Sequence, residues 1–159
     1  MDKEALAPAL GKLVSGLYII SLKHKDEEAG FLASWVQQAG FEPPMITIAF
    51  NKERKSHFDL LTGGGHLVVN IMGKENGQTM SRFFKPPPES GSIFDELETF
   101  TGETGIPILK DSLAYLEAKY YTEMESGDHH IVMAEVIGGA INNSEIEPSV
   151  HIRPDGFKY

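Results

Sequence analysis

Positive charge is most concentrated in the segment Asn51–Ser56 (NKERKS). Lys52, Arg54 and Lys55 supply three of the 14 Lys and Arg residues of the chain within four positions. The segment follows an apolar run typical of a strand and precedes a pattern typical of a helix, which Ser56 is expected to cap. The free N–H groups and positive dipole end of such a helix would add to the cations, so the segment predicts a phosphate site. The alternative is a solvated loop in which the lysines only aid solubility.

A second candidate is the segment Ala33–Gln38, which holds the only Trp of the chain beside a hydroxyl and two amides. Its members are Ala33, Ser34, Trp35, Val36, Gln37 and Gln38. Hydroxyl and amide groups can hydrogen-bond the polar edge of a flat heterocycle, while Trp35 supplies an apolar wall. The alternative is an edge strand whose Trp simply belongs to the core.

The third candidate is the His pair in Gly127-Asp128-His129-His130. Neighbouring residues on a strand point to opposite faces, so the two rings cannot easily share a metal ion. None of the six histidines shows the spacing of a zinc-binding helix, and we expect no metal site. Either His129 faces a ligand and His130 faces away, or both are exposed turn residues.

Composition limits the classes of partner. The formal net charge of −9 argues against general binding to nucleic acid or to an anionic membrane. The absence of cysteine excludes disulfides, thiolate nucleophiles and cysteine-ligated metals. No glycine-rich dinucleotide or P-loop motif and no G-x-S-x-G motif is present. Met1–Leu10 lacks an apolar stretch of signal-peptide length, so we expect a cytoplasmic protein.

The elements that must position these segments are mostly strands. We predict six or seven strands, three short helices and a single domain over residues 1–159. The helices are expected at Asp2–Leu13 (with Pro8 near its start), from Ser56 to the glycines at 63–65, and at Asn76–Phe84. Strands are expected at Val14–Lys23, Phe31–Val36, Met45–Phe50, His66–Met72, Leu116–Met124 and His129–Ile137, with a turn over Lys23–Gly30. Hairpin spacing dominates, so the fold class is mainly β with short helices, an antiparallel barrel.

Taken in order, these segments resemble the flavin reductase-like family, the FMN-binding split β-barrel. The similarity runs from about Lys12 to Tyr159 and is strongest to the C-terminal flavin reductase domain of cyanobacterial flavodiiron proteins. The residues that carry it are Gly16–Ile20, Phe31–Gln38, Pro43–Ala49, Val69–Ile71, Arg82–Phe84, Pro107–Leu109, Ala114–Glu117 and Gly127–His129.

The resemblance implies a homodimer that binds FMN, or FAD, near the subunit interface. It implies that the loop Ala33–Gln38 holds the isoalloxazine edge and that the stretch after Ala49 holds the phosphate, and it extends the flavin site to further positions. The remaining implied flavin-binding residues are Ala49, Asn51, Lys52, Arg54, Lys55, Ser56, Asn70 and Phe84. His129 is implied to lie on the nicotinamide side.

Two functions follow as expectations. The first is an NAD(P)H:flavin oxidoreductase in which NADH or NADPH donates hydride to the flavin. The second is a bound-FMN module that exchanges electrons with a redox protein partner and has no nicotinamide activity. Many family members have a small or Ser/Thr-rich loop where this chain has Trp35, and such a bulky ring favours a retained FMN.

Overall fold

The computed structural model describes residues 2–158, which form three short helices and nine strands. The helices are α1 (Lys3–Gly11), α2 (Lys55–Gly64) and α3 (Gly77–Arg82), and the strands are β1 (Tyr18–His24), β2 (Glu27–Ala33), β3 (Val36–Phe41), β4 (Pro44–Asn51), β5 (His66–Ile71), β6 (Thr99–Thr101), β7 (Pro107–Leu109), β8 (Ala114–Ser126) and β9 (His129–Ile141). No helix within this stretch is long and apolar enough to cross a lipid bilayer.

Seven of the strands form one sheet in the order β2-β1-β5-β8-β9-β4-β3, and every neighbouring pair is antiparallel. Phe31 of β2 and Val36 of β3 come from opposite edges of this sheet, yet both pack into one core with Ile48 and Leu67. The sheet therefore curls until its edges share an interior, as the twist of strands allows. The predicted mainly β, antiparallel fold with short helices is confirmed.

Local sequence explains several of the boundaries. Asp2 begins α1, because its Oδ1 accepts hydrogen bonds from the backbone N–H groups of Glu4 and Ala5 at 3.0 and 3.3 Å. Gly65 ends α2 with a φ of 71°, a left-handed conformation that glycine adopts without strain, and its N–H donates to the Leu61 carbonyl.

The first two helices differ from the predicted ones. Helix α1 ends at Gly11 and contains Pro8 in its interior instead of near its start. The expected cap at Ser56 is wrong, because α2 begins at Lys55 with Arg54 in the N-cap position. The Asn51 side chain accepts from the Glu53 N–H at 2.8 Å, and the resulting turn starts the helix earlier than the Ser56 signal suggests.

The strands also depart from the predicted set of six or seven. The expected turn over Lys23–Gly30 shrinks to two residues, since Lys25 adopts a φ of 56° and β2 begins already at Glu27. The chain leaves the ladder at Ser34 and Trp35 and re-enters it as β3, so Phe31–Val36 is not one strand.

The regular alternation expected for Leu116–Met124 is interrupted in β8. Leu116, Ala118 and Tyr120 pack on the core as predicted, and the alternation changes at Tyr121, which has no partner opposite it on β9. Met124, beyond this point, is exposed, whereas Glu117 is buried because the backbone of Glu103 and Thr104 covers its carboxylate.

Both ends of the described chain meet beside the sheet. Residues 148–157, which we call the C-terminal segment, run along the end of α1 and the residues that follow it. Ser15 and His151 exchange backbone hydrogen bonds of 3.1 and 2.7 Å, and the Gly156 N–H donates to the Ala7 carbonyl at 2.8 Å. This contact brings His151 and Arg153 to the neighbourhood of the loop between β2 and β3.

Candidate functional site

A cavity of about 360 Å³ opens where β2 and β4 end and β9 begins. It is lined by Leu17, Phe31, Leu32, Ala33, Ser34, Trp35, Ala49, Asn51, Arg54, Phe83, Phe84, His129 and His151. Apolar and aromatic side chains make up most of this wall, with a hydroxyl, an amide, a guanidinium and two imidazoles among them. A mainly apolar cleft with a few converging polar groups is the usual form of a cofactor or ligand site.

Strand pairing brings the predicted segments together. The Ala49 N–H donates to the Trp35 carbonyl at 3.0 Å, which ties the loop between β2 and β3 to β4. Asn51, at the end of β4, pairs with His129 at the start of β9. Three segments that lie far apart in the chain thus form adjacent parts of one wall.

Ser34 is the polar residue whose geometry most suggests a ligand. Only 4% of the residue is exposed, and its Oγ has no hydrogen-bond partner among the described residues. A buried hydroxyl without a partner loses its hydration without compensation, which is unfavourable by about 1–3 kcal/mol. Because Ser34 also lines the cavity, a ligand with a polar edge would satisfy it, and a flavin ring has such an edge.

Trp35 lies at the mouth of the cavity with 37% of its surface exposed. Its ring centroid is 5.0 Å from that of His129, with the two planes tilted by 48°. The guanidinium carbon of Arg153 also lies 5.0 Å from the centre of the Trp35 ring, within cation–π range. The indole therefore contacts His129 at the start of β9 and Arg153 of the C-terminal segment.

His129 has one ring nitrogen engaged by the protein. Its Nδ1 lies 2.6 Å from Oδ1 of Asp128, an arrangement in which the imidazole donates to the carboxylate and Nε2 remains for another partner. The hydrogen bond from His129, followed by the charge of that residue, holds the pKa of the Asp128 carboxyl below its usual range.

His130 lies on the other face of β9. Its ring stacks on Phe58 of α2 with centroids 4.3 Å apart and planes within 10° of parallel. Its Nδ1 is buried and has no hydrogen-bond partner among the described residues. His130 therefore packs on the helix and does not line the cavity.

The three cations of the Asn51–Ser56 segment have separate environments. Arg54 lines the cavity, with its guanidinium carbon 5.3 Å from the centre of the Phe31 ring. Lys52 pairs with Glu125 at 3.4 Å, and Lys55 pairs with Asp59 at 2.6 Å. The structure therefore brings one of these three cations to the cavity wall.

A second cavity of about 410 Å³ adjoins the first and shares Arg54 and Phe83 with it. Ser56, His57 and Lys85 are among its polar lining residues. Burial, and next the charge of Arg54, lower the pKa of His57, although a backbone hydrogen bond with Gly30 acts in the opposite direction. The cations of this cavity are Arg54 and Lys85, and the carboxylates of Asp26, Glu27 and Glu28 also line it.

Six of the predicted flavin-binding residues line neither cavity: Lys52 and Lys55, described above, and also Val36, Gln37, Gln38 and Asn70. Val36 packs against the main core, and Gln37 and Gln38 are exposed on the edge strand β3. Asn70 is fully buried: its Nδ2 donates to the Ile19 carbonyl and to Ser21 Oγ, and its Oδ1 accepts from the Leu109 N–H. Through these hydrogen bonds, Asn70 of β5 connects β1 and β7.

Several residues at the site were not predicted to bind the flavin. Leu17, Phe31, Leu32 and Phe83 lie in segments that carry the family resemblance but look like ordinary core residues. His151 of the cavity wall and Arg153 beside Trp35 belong to a short segment without a recognisable motif. The backbone bridge between Ser15 and His151 is what brings His151 and Arg153 to the site. Within residues 2–158, no three His, Asp or Glu side chains are close enough to hold a metal ion.

Comparisons with known proteins agree on one family. Residues 10–158 match the sequence profile named "Flavin reductase like domain". The chain is 39% identical over 155 residues to diflavin flavoprotein A 1 of Synechocystis sp., a match that covers 97% of this chain and 27% of the relative. The chain therefore spans about a quarter of the length of the curated relatives it matches.

Solved structures of similar fold include two flavin enzymes. The NADH:FAD oxidoreductase SgcE6 of Streptomyces globisporus superimposes with a TM-score of 0.83 at 23% identity, covering 95% of this chain and 89% of that one. Flavin reductase HpaC, solved in complex with NADP+, gives a TM-score of 0.77 at 26% identity and covers 98% of this chain and 95% of that one.

Proposed function

This chain belongs to the flavin reductase-like domain family, and from that premise we propose that it is an FMN-binding NAD(P)H:flavin oxidoreductase. A flavin-related oxidoreductase activity follows from the family, and the choice of FMN and of a nicotinamide donor is our proposal. A bound flavin would supply the hydride acceptor, which no amino-acid side chain of this chain provides. We further propose that residues 1–159 act as a single flavin-binding domain.

The observation that carries the proposal is the unpartnered Ser34 hydroxyl in an aromatic cavity. In the proposed complex, Ser34 Oγ hydrogen-bonds the polar edge of the isoalloxazine. Trp35 and Phe84 supply apolar surface to the ring and exclude water from it, and Ala49 leaves room for it on β4. Fixed groups of this kind bind and orient the ring so that hydride transfer needs little rearrangement.

The phosphate end of the cofactor is assigned to Arg54. This residue lines both cavities, and Ser56 and Lys85 line the second one beside it. A ribityl phosphate leaving the first cavity would meet a guanidinium, a hydroxyl and an ammonium, which are suitable donors for a phosphate.

His129 is proposed to position the nicotinamide. Its Nδ1 is held by Asp128, so its Nε2 is the atom that faces a second ligand beside Trp35. Hydride transfer to a flavin needs no simultaneous proton from the protein, so His129 acts by hydrogen bonding and orientation. Its contribution would then be to the affinity for NADH or NADPH.

The alternative is a bound-FMN electron-transfer module without nicotinamide activity. The Trp35 ring at the mouth of the cavity favours this alternative, because it would hinder a nicotinamide ring from stacking on the flavin. The diflavin relatives are also much longer than this chain, so their further parts could exchange electrons with such a module. In that case the electrons would come from or go to a protein partner.

Stopped-flow spectroscopy distinguishes these functions. The purified chain is reconstituted with FMN and mixed under anaerobic conditions with NADH and, separately, with NADPH. The oxidoreductase predicts bleaching of the flavin absorbance with at least one of them. Retained FMN that neither nucleotide bleaches would favour the electron-transfer module, and failure to bind FMN, FAD or riboflavin would contradict both functions.

A further inference from the structure

We propose that Arg153 is a positioning residue that fixes the Trp35 indole as a wall of the flavin cavity. The proposal rests on the proposed function, since it assigns a role to a residue outside the flavin contacts named above. The proposal also assigns a role to the packing of α1 against the C-terminal segment, because that packing holds Arg153 in place.

The contact between Arg153 and Trp35 is unusual in its burial. Only 6% of Arg153 is exposed, and its guanidinium carbon lies 5.0 Å from the centre of the indole ring. Its Nη1 donates to the Gly156 carbonyl at 3.3 Å. A buried cation above an indole is more strongly attracted to it than an exposed one, because less water competes for the charge.

The backbone of Arg153 is fixed as firmly as its side chain. Its N–H donates to the Gly11 carbonyl at 3.2 Å, and two residues earlier the His151–Ser15 bridge anchors the same segment. The Arg153 carbonyl lies so close to Gly11 that a Cβ at position 11 would collide with it. The end of α1 therefore touches the segment directly and sets the position from which the guanidinium reaches Trp35.

Trp35 needs such a support because of where it lies. It lies between β2 and β3, where its carbonyl accepts from the Ala49 N–H, and more than a third of its surface is exposed. Contacts with His129 and Arg153 restrict the ring to one orientation at the cavity mouth. A ring that is already in place loses less conformational entropy when the flavin binds.

The test uses the fluorescence of the single Trp and the affinity for FMN. Arg153→Met removes the charge but retains a long side chain, and Arg153→Lys restores a cation. In the flavin-free protein, Arg153→Met should shift Trp35 emission to longer wavelength and increase its quenching by acrylamide. It should also weaken FMN binding by about 3- to 30-fold, the range that a cation–π contact represents. Arg153→Lys should recover most of both effects.

Lys3→Met is the matched control. Lys3 lies 5.8 Å from the centre of the Phe157 ring, so the change removes a cation–π contact from the same α1 junction without touching Trp35. It should leave the emission of Trp35 and the FMN affinity unchanged. If Arg153→Met behaves like Lys3→Met in both measurements, the positioning role is overturned.

A second pair of variants covers the case in which Arg153→Met does not fold. Trp35→Phe keeps an aromatic face for Arg153, and Trp35→Leu removes it. We expect Trp35→Leu to bind FMN at least about threefold more weakly than Trp35→Phe does. Equal affinities for these two variants overturn the proposal. A wild type that binds no FMN overturns the proposed function instead, and Trp35 emission in the flavin-free variants then decides the positioning role.

Discussion

At the scale of single residues, Arg54 gives the sharpest test of the phosphate site. Arg54→Ala should weaken FMN binding by about tenfold or more, because a charge-assisted hydrogen bond contributes about 1.5–3 kcal/mol. Riboflavin has no phosphate, so its affinity should hardly change. Fluorescence titration of the flavin-free protein with each ligand measures both values.

Lys55→Ala is the matched control for this prediction. Lys55 is the neighbouring cation, but it pairs with Asp59 and does not line the cavity. Its loss should leave FMN affinity within about twofold of the wild type, as expected for an exposed ion pair. Equal losses for FMN and riboflavin in Arg54→Ala would contradict the phosphate assignment.

His129 should affect the nicotinamide more than the flavin. His129→Ala is expected to raise KM for NADH or NADPH by about tenfold with a smaller change in kcat, because the loss is of a binding contact. Steady-state kinetics at saturating FMN separate the two constants.

His130→Phe is the control, because Phe can keep the stacking on Phe58 and removes the buried nitrogen that has no partner. This variant should retain wild-type kinetics. A large fall in kcat with unchanged KM for His129→Ala would show that His129 takes part in the chemical step.

At the scale of elements, Glu117 links β8 to the connection between β6 and β7. Its carboxylate accepts from the backbone N–H groups of Glu103 and Thr104 at 3.3 and 2.9 Å and from Thr104 Oγ1 at 2.6 Å. Burial acts to raise the pKa of this carboxyl, but the hydrogen bonds from Thr104 and Glu103 outweigh it and leave the pKa below the ordinary value.

A lowered carboxyl pKa stabilises the folded state above the ordinary pKa of Glu, near ~4.3, and the benefit is lost as the pH falls through the folded-state value. Glu117→Gln should therefore lower the free energy of unfolding at pH 7 by about 1–3 kcal/mol. It should also flatten the decline of stability below about pH 5.

Urea denaturation at several pH values measures the effect of Glu117→Gln, with Glu123→Gln as the control. Glu123 lies on the same strand and is exposed. If both variants show the wild-type decline of stability in acid, the anchoring role of Glu117 is wrong.

The elements that the sequence predicted best are those with strong local patterns. The glycines at 63–65 correctly end α2, and the turn before His129 correctly joins two long strands. The edge strand β3 was missed because Val36–Phe41 contains only two large apolar residues and pairs with one neighbour. The burial of Glu117 was missed because Glu103 and Thr104, which cover its carboxylate, belong to a connection whose packing on β8 leaves no local sequence signature.

The candidate site was predictable where its residues adjoin one another in the chain. Ser34, Trp35, Ala49, Asn51 and His129 belong to segments that the sequence analysis singled out, and all of them line one cavity. His151 and Arg153 were not predictable, since a backbone bridge to residues 136 positions earlier brings them there. Such long-range contacts depend on the whole fold and not on local propensity.

At the scale of the whole molecule, we predict a homodimer that covers the cavity mouth. Leu13, Val14, Val150 and Ile152 are each between 56 and 66% exposed, on two segments that are bridged beside the cavity residue His151. Apolar side chains this exposed and this close together are typical of a surface that another chain covers.

Light scattering should therefore give about twice the 17.5 kDa mass of the chain. Ile152→Glu should shift the protein toward the monomer and weaken FMN binding, since a buried charge opposes association. Asp155→Glu, which alters the same segment without changing its charge, is the control. A wild-type monomer that binds FMN tightly would contradict the role of a second subunit.

The meeting of α1 with the C-terminal segment has a consequence for chain connectivity. Lys3 lies beside the Phe157 ring and the Gly156 N–H donates to the Ala7 carbonyl, so a short flexible linker can join Asp2 to Lys158. New ends can then be opened at the exposed Lys25–Asp26 turn, where no strand is cut. Such a circular permutant should fold and still bind FMN, as circular dichroism and flavin titration would reveal. Because the two ends lie close together, this barrel can also be inserted into a surface loop of a host protein, where the host chain would enter and leave the barrel at nearly the same point.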